Sequence, residues 1–175
     1  MKKIIHLDSY NQKILAILHL QADLTNVELA GRVNLSPSAC FQRVKALKEA
    51  GYFRTFHADV NIEAMCEHVF AYVEFTLHDN SAPFKRRFIA AIQEIPEFMD
   101  CITGKVDYVS FSCFANIAKL NDACTLLSDR EELGIKRIEN RIILSREKFF
   151  LGYPLAQLKW LDKAEVSMSD HASDR

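Results

Sequence analysis

Apolar residues recur at helical spacing through the first fifty positions of this chain and then switch to simple alternation, so helices are expected first and strands after them. Tyr10, Ile14, Ile17 and Leu18 repeat with a helical period, and Asp8 ahead of them is a suitable N-cap for a first helix. A second helix is expected from about Asn26, because Thr25 and Glu28 have the spacing of a capping box, in which each side chain accepts from the other residue's amide. Leu29, Ala30 and Val33 share one face of it, and Asn34 suits the turn because its short polar side chain tolerates a left-handed backbone. Ser36-Pro37 then reads as N-cap plus first helical position, where proline has no amide hydrogen to lose. Cys40, Val44 and Leu47 form the buried stripe of this third helix, and Gly51 supplies the positive φ that closes it.

From Tyr52 to Val60 the chain alternates, with Tyr52, Phe56, Ala58 and Val60 on one side and Thr55, His57 and Asp59 on the other, which predicts a linking strand. Beyond it the order strand, helix, strand, strand, helix, strand is expected. Val69 to Leu77 alternate; Ser81 and Pro83 open a helix with Phe84, Phe88, Ala91, Ile92 and Ile95 on its apolar face, and Pro96 stops it. Phe98 to Thr103 and Val109 to Cys113 predict a hairpin around Gly104–Asp107, Leu120 to Leu127 a second helix, and Ile135 to Leu144 the last strand. An antiparallel sheet with both helices on one face, the ferredoxin-like βαββαβ arrangement, satisfies that order. Phe70 and Tyr72 make the other face of the first strand apolar too, so something else is expected to cover it, most simply a second copy of the chain.

The two capped segments around the Asn34 turn have the form of a helix-turn-helix, which makes double-stranded DNA the expected partner. Opposite the buried stripe of the third helix stand Ser38, Gln42, Lys45 and Glu49, flanked by Ala39 and Arg43 on one side and Phe41 and Lys48 on the other. In a major groove Ser38, Ala39 and Gln42 are candidates for reading base edges, while Ser36, Arg43 and Lys45 suit phosphates. The alternative is an amphipathic hairpin whose charges are merely solvated. Charge favours DNA: residues 1–60 hold eight bases against five acids, a net +3, while the whole chain is −1, which leaves −4 for residues 61–175. A cation of this size gives one copy modest affinity, and a dimer engaging two half-sites would raise it.

Other classes recede. No apolar run in the 175 residues is long enough to span a bilayer, and no signal-peptide pattern opens the chain, so a soluble cytoplasmic protein is expected. The five cysteines, Cys40, Cys66, Cys101, Cys113 and Cys124, are odd in number and contain no CxxC pair, which suits a reducing compartment. Cys66, Glu67 and His68 match no standard zinc spacing. With five glycines there is no phosphate-cradling loop, and His6, His19, His57, His68, His78 and His171 are scattered, so neither an enzyme nor a metal or cofactor site is expected.

Three blocks, LDSYNQKILAIL (Leu7 to Leu18), ELAGRVNLSPSACFQRVKALKEAGY (Glu28 to Tyr52) and TGKVDYV (Thr103 to Val109), together resemble the leucine-responsive regulatory protein and AsnC family of prokaryotic transcription regulators over about residues 7–155. The resemblance implies an α+β chain: a winged-helix-like helix-turn-helix domain at 1–51, a linking strand at 52–61, and an ACT-like (RAM-type) effector-binding and dimerisation domain at 62–163. It further implies homodimers, often assembling into tetramers or octamers, with an amino-acid effector bound near Gly104, Lys105, Val106, Asp107 and Tyr108. Departures from the family pattern are Asn11 in place of Asp, Lys105-Val106 in place of an acidic-aromatic pair, and Asn140 and Ser145 on the last strand where Thr is common. Phe149 to Leu161 is apolar enough to pack on the body, extend an edge strand or, through Tyr153 and Trp160, serve assembly, and residues 164–175 are expected to be disordered. The function implied is effector-responsive transcription regulation, with an effector-independent architectural DNA-binding protein as the competing reading.

Overall fold

Asp8, Thr25 and Ser36 each begin a helix, and each does so by the same device, a side-chain oxygen accepting the backbone amide three residues on. The computed structural model describes residues 5–104, 107–148 and 152–161. They fall into two units, one formed by residues 5–60 with 152–161 and the other by residues 61–148.

The first unit contains α1 (Ser9–Leu20), α2 (Asn26–Val33) and α3 (Pro37–Glu49). The Asp8 carboxylate accepts from the Asn11 amide at 2.8 Å. The capping box at α2 is complete, with Glu28 Oε2 accepting from the Thr25 amide at 2.8 Å and from its hydroxyl at 2.7 Å. Those hydrogen bonds hold the Glu28 carboxyl below its ordinary pKa. Asn34 adopts the left-handed conformation at φ 57°, ψ 49°, and Gly51 follows α3 at φ 79°. Ile14, Leu18, Leu29, Val33, Cys40 and Leu47 are the buried centre, with Val44 at its margin. Fully burying a side chain such as Ile14 or Leu47 contributes about 1.5–3 kcal/mol. The α1 stripe is rotated from the expected one: Asn11 is buried while Tyr10 is exposed, its ring lying against the Arg43 guanidinium at 5.3 Å.

Two expectations fail in this unit. Tyr52 to Val60 does not form a strand; it has no ladder partner among the described residues, and alternation of side chains cannot by itself supply the backbone hydrogen bonds that make one. Its aromatic positions serve the head instead: Phe53 packs at the edge of the helical core, and Phe56 lies 5.0 Å from Phe53 with the Lys48 ammonium 4.5 Å over its ring. The C-terminal segment, expected within a second domain ending at 163, packs with the helices. The Tyr153 ring stacks on His19 at 5.2 Å, its amide donates to His19 Nε2, and Trp160 lies against the helical core. Residues 164–175 lie outside the described residues.

The second unit contains β1 (Val69–Leu77), α4 (Ala82–Gln93), β2 (Tyr108–Phe114), α5 (Ile117–Ser128) and β3 (Ile135–Ile142). The sheet is antiparallel with order β2-β1-β3, and Tyr72 pairs with Phe111 on one side and Arg141 on the other. One face of it, Ala71, Val73, Phe75 and Leu77 with Tyr108 and Phe114, packs against Phe88 of α4 and Leu120 and Leu127 of α5. Both helices therefore cover the same face, as the apolar pattern requires. Phe75 contacts Phe88 and Phe98 edge-on at 5.1 and 5.7 Å.

The expected strand from Phe98 to Thr103 is reduced to isolated bridges, Phe98 to Ser112 and Ile102 to Val109. The cause is Asp100. Its carboxylate takes the Phe111 amide at 2.7 Å, and its carbonyl takes the Ser110 hydroxyl, so side chains occupy places a continuous ladder would use. The last strand ends at Ile142, short of the expected Leu144, which leaves Ser145 beyond it. On the open face Phe70 stacks on Phe111 at 5.3 Å under the Arg146 guanidinium, so this chain shields part of the apolar surface itself, while Tyr72 stays 47% exposed.

Gly134 turns the chain into β3 at φ 63°, and a Cβ there would sit 2.6 Å from Phe84 Cδ1. Gly134→Ala combines left-handed strain with that collision and should cost about 1–3 kcal/mol, read as a lowered midpoint in urea unfolding.

Candidate nucleic-acid interface

The buried stripe of α3 faces α1 and α2, and this decides which of its side chains meet water. Ser36, Ser38, Gln42 and Lys45 are exposed, and Ala39 and Arg43 are partly so. All six expected contact residues thus lie on or beside the free side of one helix. The Ser36 hydroxyl is already engaged, accepting from the Ala39 amide at 3.3 Å and lying 3.2 Å from the Ser38 hydroxyl. Asn26 at the start of α2 donates to the Pro37 carbonyl at 2.7 Å, which ties the two helix N-termini together and fixes the angle at which α3 is presented. Lys45 reaches Glu49 only at 3.9 Å, an exposed pair of small energy that leaves the ammonium available.

Arg43 is the exception among the cations. One of its amino groups donates to Asp8 Oδ2 at 2.8 Å and to Asn11 Oδ1 at 3.0 Å. Asn11 in turn donates to the His6 carbonyl at 2.8 Å, so the residue that departs from the family pattern is a buried link between the chain before α1 and the guanidinium on α3. Sequence spacing indicated the Asp8 cap. It did not indicate this cross-helix clasp, whose only trace is that Asp8 and Asn11 stand three apart, on one side of a helix. Burial pushes the Asp8 carboxyl upward, but the Asn11 amide and the Arg43 guanidinium outweigh it and hold the group below its ordinary 3.8.

The described members of the expected effector loop, Gly104, Asp107 and Tyr108, lie between the bridged residues Ile102 and Val109 and take different surroundings. Lys105 and Val106 lie outside the described residues. Gly104 is exposed, with open space where a Cβ would be. Asp107 is a structural anchor: its carboxylate accepts from the Leu77 amide at 2.6 Å and from the Asn80 side chain at 3.0 Å, fastening the loop to the end of β1. Tyr108 points into the core, 3% exposed and 4.5 Å from the Phe88 ring, and burial raises its phenol above the ordinary value. Behind it, burial and the Asp100 charge push the Cys101 thiol up to about 11. The five candidates therefore separate into an open glycine, a half-buried anchor in Asp107, a buried core residue in Tyr108, and two residues not described.

An exposed cationic helix braced by two others is the working element of the helix-turn-helix proteins, and residues 7–54 match the family model for winged helix-turn-helix DNA-binding domains. Over 105 residues, 59% of this chain, the sequence is 34% identical to the transcriptional regulatory protein DoeX of Halomonas elongata and 32% identical to the leucine-responsive regulatory protein of Salmonella typhimurium. The matched part spans 66% and 64% of those relatives, slightly under two thirds of their length. The fold is similar to the crystal structure of a transcriptional regulator from Neisseria meningitidis in complex with L-Met, with 30% identity, a TM-score of 0.75, and coverage of 85% of this chain and 97% of that one. The chain belongs to the leucine-responsive regulatory protein and AsnC family of transcription regulators.

The Asp8 geometry has a pH consequence. A carboxyl held low in the folded state contributes stability above its ordinary pKa that is lost as pH falls through the lowered value. Asp8→Asn should therefore show a shallower loss of stability than the parent on acidification below about 3.8, measured by urea unfolding at stepped pH.

Proposed function

We propose that this chain regulates transcription by placing the exposed face of α3 in the major groove of operator DNA, under the control of a small effector, an amino acid, held by its sheet domain. The observation that carries this is the disposition of α3: its apolar stripe packs into the head, and Ser38, Gln42 and Lys45 are left exposed on the outside. In this reading residues 1–51 are the DNA-binding domain, 52–61 the link, and the sheet domain from residue 62 binds effector and mediates self-association. A homodimer presents two α3 helices to successive major-groove segments about one turn apart. The half-exposed Tyr72 and the neighbouring Phe111 give that dimer a sheet face to bury. Effector binding favours one assembly over another, and so changes the spacing and affinity of the heads.

Ser38, Ala39 and Gln42 read base edges, while Ser36, Arg43 and Lys45 hold the backbone. Because Arg43 spends one amino group on Asp8 and Asn11, its phosphate contact comes from a guanidinium fixed in place before DNA arrives, which limits the ordering entropy lost on binding. The effector reading draws on the family and on the L-Met bound by the Neisseria meningitidis protein. Gly104 and the anchored Asp107 frame the loop where such a ligand is expected, with Lys105 supplying a cation for its carboxylate.

Fluorescence anisotropy against a duplex selected from a random pool separates the roles. Lys45→Ala and Arg43→Ala should weaken binding to every sequence and lower the salt slope by about one each, whereas Gln42→Ala should reduce discrimination at one base pair by about 1–3 kcal/mol. Variants that match the parent in both respects would remove α3 from the interface. For the effector, a panel of L-amino acids at millimolar concentration should include at least one, with L-methionine the first to try, that raises Tm by mass action. A flat panel would leave the sheet domain a self-association module and favour an effector-independent, architectural role.

A further inference from the structure

Phe41 is a large apolar side chain on the solvent side of α3, 54% exposed. Two other exposed aromatics of the head, Tyr10 and Phe56, each carry a cation against the ring; Phe41 has no such partner among the described residues. It stands one residue before Gln42 and four before Lys45, so on the helix it borders the polar row assigned to base reading. Leaving a phenyl ring half in water forgoes the burial energy that the rest of the head is built on.

In the major groove the base edges present donors and acceptors at nearly every position, and the one apolar group among them is the C5-methyl of thymine. We propose that Phe41 is a specificity-determining residue that packs its ring on a thymine methyl next to the base pair contacted by Gln42. The inference rests on the reading that α3 enters the major groove, and it adds a residue to that interface which charge and hydrogen-bonding capacity do not reveal. Continuity with Gln42 and the cation of Lys45 favour DNA as the occupant over a second copy of the head.

The test uses the full chain and the duplex that the parent protein selects from a random pool, with each thymine replaced in turn by deoxyuridine, which lacks only the methyl. The parent should lose about three- to fivefold in affinity at one or two thymines per half-site, the scale expected for exposing one buried methyl. Phe41→Ala should bind the thymine duplex weakly by a comparable factor and show no further loss at those positions, while Phe41→Leu keeps most of the sensitivity. Phe41→Ala with the parent's full deoxyuridine penalty overturns the assignment. So does a change in sedimentation of the free protein with an unaltered deoxyuridine profile, which would identify a second copy as the occupant. If Gln42→Ala still relaxes sequence preference in that outcome, the DNA reading stands and Phe41 alone is excluded; if the parent selects no duplex, both readings fall together.

Discussion

Cys40 and Leu47 are wholly buried against the neighbouring helices, and that contact fixes the rotation of α3 about its own axis. Everything the helix can do outside the protein follows from that rotation. A shift of one residue would carry each side chain by about 100° around the helix, sending Gln42 toward the core margin and exposing the thiol. Three local devices hold the setting: the Ser36 cap and Pro37 define where the helix begins, Asn26 ties that beginning to α2, and Arg43 clasps Asp8 and Asn11 near α1. None of these bonds is large alone. Together they restrain the start of the helix and its middle, which leaves the rod little freedom to roll.

Capping and periodicity made this head legible from sequence because both are local signals. The Thr25–Glu28 box, the left-handed Asn34, and Ser36-Pro37 act over a few residues, where chemistry and spacing determine the outcome. What stayed hidden was long-range. The Arg43 clasp joins residues 35 apart in sequence, and the spacing of Asp8 and Asn11 alone does not point to Arg43. Tyr52 to Val60 alternates as a strand would, yet a strand is a property of two segments, and no partner is present among the described residues. The C-terminal stretch was legible as something that packs, but not as something that packs on α1 through His19, because apolar content carries no address.

The sheet domain shows the same division. The order of its elements and the face that each helix covers follow from the apolar alternation of β1, β2 and β3. The break at Asp100 does not, since it depends on a carboxylate choosing a backbone amide eleven residues away. In the candidate effector loop, the family resemblance named a contiguous string of residues, whereas the fold uses its described members for different ends. Asp107 fastens the loop, Tyr108 fills the core, and Gly104 remains open. A contiguous motif is thus part scaffold and part surface, and only the surface part is free to meet a ligand.

If α3 is the reading element, its contacts must lie in the major groove. Methylation interference on the selected duplex tests this most directly, because one reagent marks guanine N7 in the major groove and adenine N3 in the minor groove. With α3 in the major groove, N7 methylation within each half-site blocks binding while N3 methylation there has little effect. Interference confined to adenine N3, with N7 methylation tolerated throughout the half-sites, would contradict it.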